Sequence, residues 1–162
     1  WCISVGFFYG SNPICGFVYS PSSHMFFHND DSFSYLNNRK IKVADDVKID
    51  SETNLFFATE IQNEFIIKFP GKARNLGSTA LQACLIIDNV KNRSLGFIGK
   101  SYFWDWAGAI PILLKAGARL KYISGEEINY NELFTNRFEI RDYLIAYNTL
   151  DFSKIQEFFE KV

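Results

Sequence analysis

Three apolar runs, each stopped within a few residues by a cluster of turn formers, open the chain and restrict what its first third can become. Cys2–Tyr9 is rich in aromatic and β-branched residues and is closed by Gly10-Ser11-Asn12-Pro13. Ile14–Tyr19 is closed by Ser20-Pro21-Ser22-Ser23, and His24–His28 by Asn29-Asp30-Asp31. Gly, Pro, Asn, Asp and Ser favour turns by separate routes: positive φ, a fixed φ, or a side chain bonded to its own backbone. Runs this short and this tightly punctuated pair as an antiparallel meander, because a parallel crossover needs a dozen or more connecting residues. Asn37-Asn38 marks a further turn. In Lys40–Val43, Ile41 and Val43 alternate with lysines, as on the edge of a sheet.

The pattern then changes. Asp45–Thr53 is polar and reads as a surface loop, Leu55–Ala58 and Phe65–Phe69 as short strands, and Pro70-Gly71 as a break. Gly77-Ser78-Thr79 precedes Ala80–Ile87, a helix pattern opening on a hydroxyl N-cap. Ser94–Gly99 reads as a strand. Ala107–Ala116 is apolar and too long for a typical strand, so it predicts a buried helix, with Pro111 kinking it or lying near its first turn and Gly117 ending it. Arg119–Ile123 and Asp142–Tyr147 read as strands. Phe152, Ile155, Phe159 and Val162 recur at helical spacing, which predicts a terminal helix from Ser153 to Lys161 with Ser153 and Gln156 as a capping box. Antiparallel strands followed by alternating α and β segments make an α/β or α+β chain.

Composition removes several classes. The 162 residues are 48% hydrophobic and 22% charged, which is globular rather than disordered. Lysines and arginines number 17 against 18 acidic residues, a net charge of −1. That leaves no basic field for a nucleic-acid backbone. No apolar run reaches the ~20 residues a membrane helix needs, and no basic leader precedes one. Cys2, Cys15 and Cys84 are too few and too scattered for a disulfide framework or a zinc knuckle, so a reducing cytoplasm is the expected compartment. The first residue, Trp1, already stands inside a strand-like run, as in a fragment of a longer protein.

Three stretches carry candidate chemistry. His24 and His28 are four apart, but Met25-Phe26-Phe27 between them reads as strand and no further ligand completes a set, so two surface histidines are the expectation. Arg74-Asn75-Leu76-Gly77-Ser78-Thr79 enters a helix with a glycine and two hydroxyls; it serves either as an ordinary cap or as a seat for an anionic or polyhydroxyl ligand. In Phe103-Trp104-Asp105-Trp106-Ala107-Gly108, a carboxylate stands between two indoles at a helix start. It is either a helix-start aspartate or a rigidly presented metal ligand.

Trp104-Asp105-Trp106-Ala107-Gly108-Ala109, continuing through Pro111-Ile112-Leu113 to Ala116-Gly117-Ala118, resembles the C-terminal signature of the inositol monophosphatase family. Arg74-x-x-Gly77-Ser78-Thr79-Ala80-Leu81 is similar to the same family's Arg-x-x-Gly-Ser/Thr-x-Ala segment. Ser4-Val5-Gly6-Phe7, Gly16-Phe17-Val18-Tyr19-Ser20-Pro21 and Met25-Phe26-Phe27 are similar to the hairpins before its second domain. The resemblance implies the C-terminal part of the layered inositol monophosphatase/fructose bisphosphatase-like fold. Residues 1–45 would be the antiparallel strands remaining from a first domain, and residues 46–162 a C-terminal α/β domain with a mixed sheet flanked by helices.

It further implies a Mg²⁺-dependent phosphomonoesterase acting on a small phosphorylated alcohol or sugar, with a homodimer among its usual assemblies. Asp105 matches a metal ligand, and Gly77, Ser78 and Thr79 match residues that contact the substrate alcohol. Ile98 stands where inositol-specific members place a substrate-binding Glu, and an aliphatic side chain cannot accept a hydroxyl's hydrogen bond, which puts inositol itself in doubt. The family's other metal ligands lie in a Gly-Glu segment and an Asp-Pro-x-Asp-Gly-Thr motif. Neither occurs here, and Asp30-Asp31 and Asp45-Asp46 are misplaced for them. The expectation is therefore a chain that starts just downstream of that motif, holds no catalytic residue of its own and is inactive alone. Histidinol phosphate, fructose bisphosphate and phosphorylated nucleosides are alternative substrates. A non-catalytic relative kept for binding or assembly, and an unrelated α/β domain in which Asp105 and Gly77 lie far apart, are the rival readings.

Overall fold

The structure is a computed structural model, and residues 1–44, 47–88, 93–148 and 151–162 are described. The turn-punctuated opening forms a five-stranded antiparallel meander: β1 (Ile3–Tyr9), β2 (Asn12–Ser20), β3 (Met25–Asn29), β4 (Ser34–Leu36) and β5 (Arg39–Ile41), in that spatial order. β5 is an edge, as the lysine alternation predicts. The turns are made as their residues allow, with Gly10 and Asn37 at positive φ. His24 also has positive φ, after a 3₁₀ turn at Pro21–Ser23, so the β3 strand begins one residue later than the sequence reading.

A second sheet is mixed, in the order β10 (Arg119–Tyr122), β11 (Leu144–Tyr147), β9 (Ser94–Gly99), β6 (Asn54–Phe57), β8 (Lys72–Arg74). β6 runs parallel to β8 and β9, whereas β11 pairs antiparallel with β9 and β10. Between the sheets lie α1 (Thr79–Leu85), α2 (Phe103–Ala107) and α3 (Ala109–Lys115). One core joins Val18 and Phe27 of the first sheet to Trp106, Ile110 and Leu113 of the helices and Phe97 and Leu144 of the second sheet. The far face of the second sheet carries another core, where Leu55, Ile98 and Ile145 pack with Ile61, Ile155 and Phe159. The opposite face of the first sheet is apolar but open: Ile3, Val5, Phe7 and Tyr19 are all more than a third exposed. Phe26, His28 and Tyr35 stack in a row on that same face.

Three expectations change. The helix over Ala107–Ala116 is two helices meeting at Gly108, because Pro111 has no N–H to return to the Ala107 carbonyl and the ladder is interrupted there. The terminal helix ends at Gln156: α5 spans Phe152–Gln156, and Phe159–Lys161 is instead β12, paired antiparallel with β7 (Phe65–Ile67). The free edge of a three-residue strand outweighs the helical spacing of the phenylalanines. The cap of α5 is Asp151, which accepts from the Ser153 amide at 3.2 Å, rather than a Ser153–Gln156 box. Gln156 donates to the Ile123 carbonyl at 2.7 Å. Beyond these, β4, β8 and α4 (Tyr130–Thr135) form where no element is predicted. Asp45 and Asp46 lie outside the described residues.

Candidate functional site

Three segments distant in sequence close on one cavity of about 540 Å³. Trp1, Cys2 and Ser4 come from the start of β1, Gly77–Ala80 from the start of α1, and Trp104 and Asp105 from α2. The alternation of β1 turns the small side chains of Cys2, Ser4 and Gly6 toward the helices, and this lets α2 approach. Asp105 occupies the first turn of α2, where its amide bonds the Tyr102 carbonyl at 3.0 Å. No described residue forms a hydrogen bond or ion pair with its half-buried carboxylate. Asp105 lines the cavity, and no described backbone amide bonds its carboxylate.

The Gly77 turn is held from behind. Gln82, 1% exposed, accepts from the Leu76 amide at 2.5 Å. Asn75 accepts from the Gly77 amide at 2.8 Å and donates to the Thr59 hydroxyl at 2.5 Å. Gly77 has φ of +73°, a conformation that a β-carbon disfavours. Ser78 caps α1 as predicted, accepting from the Leu81 amide at 3.5 Å, and its hydroxyl lies 3.1 Å from the Cys2 sulfur. Cys84, one turn further along α1, is fully buried, and desolvation pushes its thiol well above the ordinary range.

The structure thus brings Gly77, Ser78, Thr79 and Asp105 together. It does not bring Ile98, which is fully buried in the core on the far side of the second sheet. The cavity lining holds one carboxylate and no lysine, arginine or histidine among the described residues. Such a site gives a phosphate no cation to neutralise it. The oxygen donors suit a hard ion such as Mg²⁺, but one carboxylate is too few: among the described residues no three His, Cys, Asp or Glu side chains stand together as a metal site. His24 and His28 remain apart from the cavity, His24 exposed in its turn and His28 stacked on Tyr35 at 5.0 Å.

A second groove of about 440 Å³ beside β8 is lined by Lys72, Arg74 and Arg93. Each of these is already engaged: Lys72 by Glu52 at 2.5 Å, Arg93 by Asp50 at 2.8 Å and Arg74 by Asn54 at 2.6 Å. Trp1, Cys2, Ser4, Ala80 and Trp104 are the lining residues not anticipated from sequence. The period-two run of small residues in β1 was the available signal, but which face it turned to α2 was not local information.

Residues 1–149 match the inositol monophosphatase family, and the segments that match it include both the Asp105 helix and the Gly77 turn. The chain belongs to the inositol monophosphatase family. Among solved structures it is similar to an inositol monophosphatase from Thermotoga maritima, at 19% identity and a TM-score of 0.75, over 96% of this chain and 59% of that one. It is also similar to a Pyrococcus horikoshii protein described as having similarities to inositol-1 monophosphatase, at 23% identity and a TM-score of 0.74, over 99% and 62%. An inositol monophosphatase from Anabaena follows at 17% identity and a TM-score of 0.72, over 96% and 62%. No curated protein matches the chain. These likenesses establish the inositol monophosphatase fold, and the chain spans about three fifths of the length of those relatives. No helix among the described residues is long and apolar enough to cross a membrane.

Proposed function

We propose that the protein is a Mg²⁺-dependent phosphomonoesterase acting on a small phosphorylated alcohol or sugar. Asp105 serves as one ligand of the metal site, and the Gly77–Thr79 turn seats the alcohol side of the substrate. The observation that carries this reading is the convergence of an unengaged carboxylate and that turn on one cavity, in a chain of this family. A bound divalent cation supplies the positive charge that the lining lacks, and the further ligands it needs come from outside the described residues. Three free thiols suit a reducing compartment, and the cytoplasm is the proposed one.

We propose further that the chain is part of a longer protein, a reading supported by its spanning about three fifths of the length of its relatives. The test is Mg²⁺-dependent phosphate release by that full-length protein and by the 162-residue chain. The full-length protein turns over and the chain alone does not. Asp105→Asn lowers the full-length rate by at least roughly 100-fold, since losing even an outer partner of a metal ligand costs about 10–100-fold. In the chain alone the same change shifts stability by less than about 1 kcal/mol, the scale of a carboxylate's interaction with a helix start. A near-normal rate in the full-length variant defeats the metal role. No phosphate release from any full-length form favours the second reading, a non-catalytic relative, for which the aliphatic Ile98, buried in the far core, is the specific support.

A further inference from the structure

We propose that the free edge and the open face of the first sheet are the seat of a further segment of the same polypeptide. A strand of that segment pairs along Ile3–Phe7 of β1, and an apolar stretch of it lies over the outer face. The inference rests on the proposal that the 162 residues are part of a longer protein, and not on the phosphatase chemistry.

The large side chains of β1 point away from the helices. Its first inward positions are the small Cys2, Ser4 and Gly6, while Ile3, Val5 and Phe7 stand outward at 53%, 43% and 54% exposure. The strand register continues this face, because cross-strand partners share a side. Ile3 stands opposite Tyr19 and Tyr19 opposite Phe26, and Val5 stands opposite Phe17. A groove of about 440 Å³ on this face is lined by Ile3, Phe17, Tyr19 and Phe26, with no charged side chain among them. A sheet with one wet face alternates apolar inward with polar outward, whereas one that is apolar on both sides has a layer packed on each. The helices supply one layer here. Nothing among the described residues supplies the other.

The two edges of the sheet differ in the same sense. β5 is Arg39-Lys40-Ile41, and a charged edge resists further pairing. β1 carries no charge and no proline, and it stands at the end of the sheet, paired with β2 alone. Every second N–H and C=O from Ile3 to Phe7 therefore points to open space. The bulge at Phe7/Phe8 ends the regular stretch and limits an incoming strand to Ile3–Phe7. As to the occupant, Ile3, Val5, Phe7 and Tyr19 leave on the order of 400 Å² of joined apolar surface in water, the size that marks an interaction site. That is about half of the ~800 Å² that each partner brings to a stable dimer, which disfavours a second copy. A segment tethered to the sheet by its own backbone docks at a far higher effective concentration. The relatives extend beyond this chain by about two fifths of their own length, enough to supply one.

The experiment compares hydrogen exchange in the full-length protein and in the 162-residue chain. The outward amides of Ile3–Phe7 exchange at least about 100-fold more slowly in the full-length protein, because there they are paired. Val5→Asp sets a charge on the covered face. It lowers the folding constant of the full-length protein by at least about tenfold, and that of the 162-residue chain, where the site is already wet, by less than about threefold. Exchange in the unaltered protein decides the matter where the variant does not fold. Unprotected β1 amides in the full-length protein overturn the proposal, as does an equal effect of Val5→Asp in both forms. Protection that fades on dilution, together with a fall from dimer to monomer mass, assigns the face to a second copy and overturns it too. A native polypeptide of these 162 residues alone does the same. None of these readouts involves phosphate. A full-length protein that protects β1 and releases no phosphate removes the enzyme reading and leaves the docked segment standing, and phosphate release with exposed β1 amides does the reverse.

Discussion

Gly16 and Gly108 meet backbone to backbone: a β-carbon on Gly16 would stand 2.0 Å from the Gly108 carbonyl oxygen. Gly6, opposite Gly16 in the strand register, stands the same way against the Ala107 carbonyl, at 2.2 Å. The β1–β2 pair therefore crosses the α2–α3 junction with no side chain between, on the carbonyl that Pro111 leaves without its helical partner. This contact sets how far Trp1 and Cys2 lie from Asp105. Gly16→Ala should cost at least about 1–3 kcal/mol by overpacking, read as a lower urea midpoint. Gly10→Asn is the control: its φ of +59° suits Asn and nothing lies within 4 Å of the added carbon, so the midpoint should barely move. Equal effects at the two sites would remove the close approach as the cause.

Gln82 acts on the site through the backbone of Leu76. Its carboxamide oxygen is the acceptor for that amide, and the Leu76 side chain is half-exposed, so water can replace part of the bond. Gln82→Leu should then cost only about 1 kcal/mol overall. The local effect should be larger: hydrogen exchange at Leu76 and Gly77 should accelerate while that of β9 stays slow. Unchanged exchange at Leu76 would show that Asn75 alone holds the turn.

The legible parts of this fold are those whose cause is local. Turn clusters at Gly10–Pro13 and Asn37-Asn38 announce the meander, and alternating lysines announce the edge at β5. The cap at Ser78 and the termination at Gly117 follow from residue type alone. The illegible parts are decided by distant partners. β8 is three residues of Lys-Ala-Arg, with no strand pattern, and exists because β6 offers it an edge. β12 exists because β7 does. At the candidate site, Asp105 and Gly77–Thr79 could be named from their motifs. That Cys2, Ser4 and Trp1 complete the cavity depends on the Gly6–Gly16–Gly108 crossing, which joins residues about a hundred positions apart.

Arg39 stands 2.5 Å from Asp88, whose side chain is fully buried, and it is the pair's only route to solvent, at 41% exposure. The second Asp88 carboxylate oxygen has no partner among the described residues. Removing the cation strands a buried charge, which typically costs about 3–5 kcal/mol; the exposed arginine lowers the figure here to about 2. Arg39→Ala should therefore lower the urea midpoint markedly. Adding Asp88→Asn should recover part of the loss, because the stranded charge is then gone. If the double variant is less stable than Arg39→Ala, the buried charge is not the source of the cost.

Alkaline pH should destabilise the fold through two tyrosines. Burial pushes both Tyr130 and Tyr143 up to about 12, Tyr143 with help from its bond to the Glu64 carboxylate at 3.1 Å. In the unfolded chain both return to about 10. The sign follows: below pH 10 both states keep the proton and the stabilisation is fully present. Between pH 10 and 12 the unfolded state loses protons first, so stability falls as pH rises. For Tyr143, 2% exposed, the loss is on the order of 2 kcal/mol. Absorbance titration of the folded chain should show Tyr130 and Tyr143 ionising last of its eight tyrosines, with Tyr122 and Tyr147 also delayed by burial and Tyr35 by its bond to Asp30, and Tyr143→Phe should flatten the alkaline limb of the stability profile. All eight ionising together near pH 10 in the folded chain would mean that neither phenol is shielded as the packing requires.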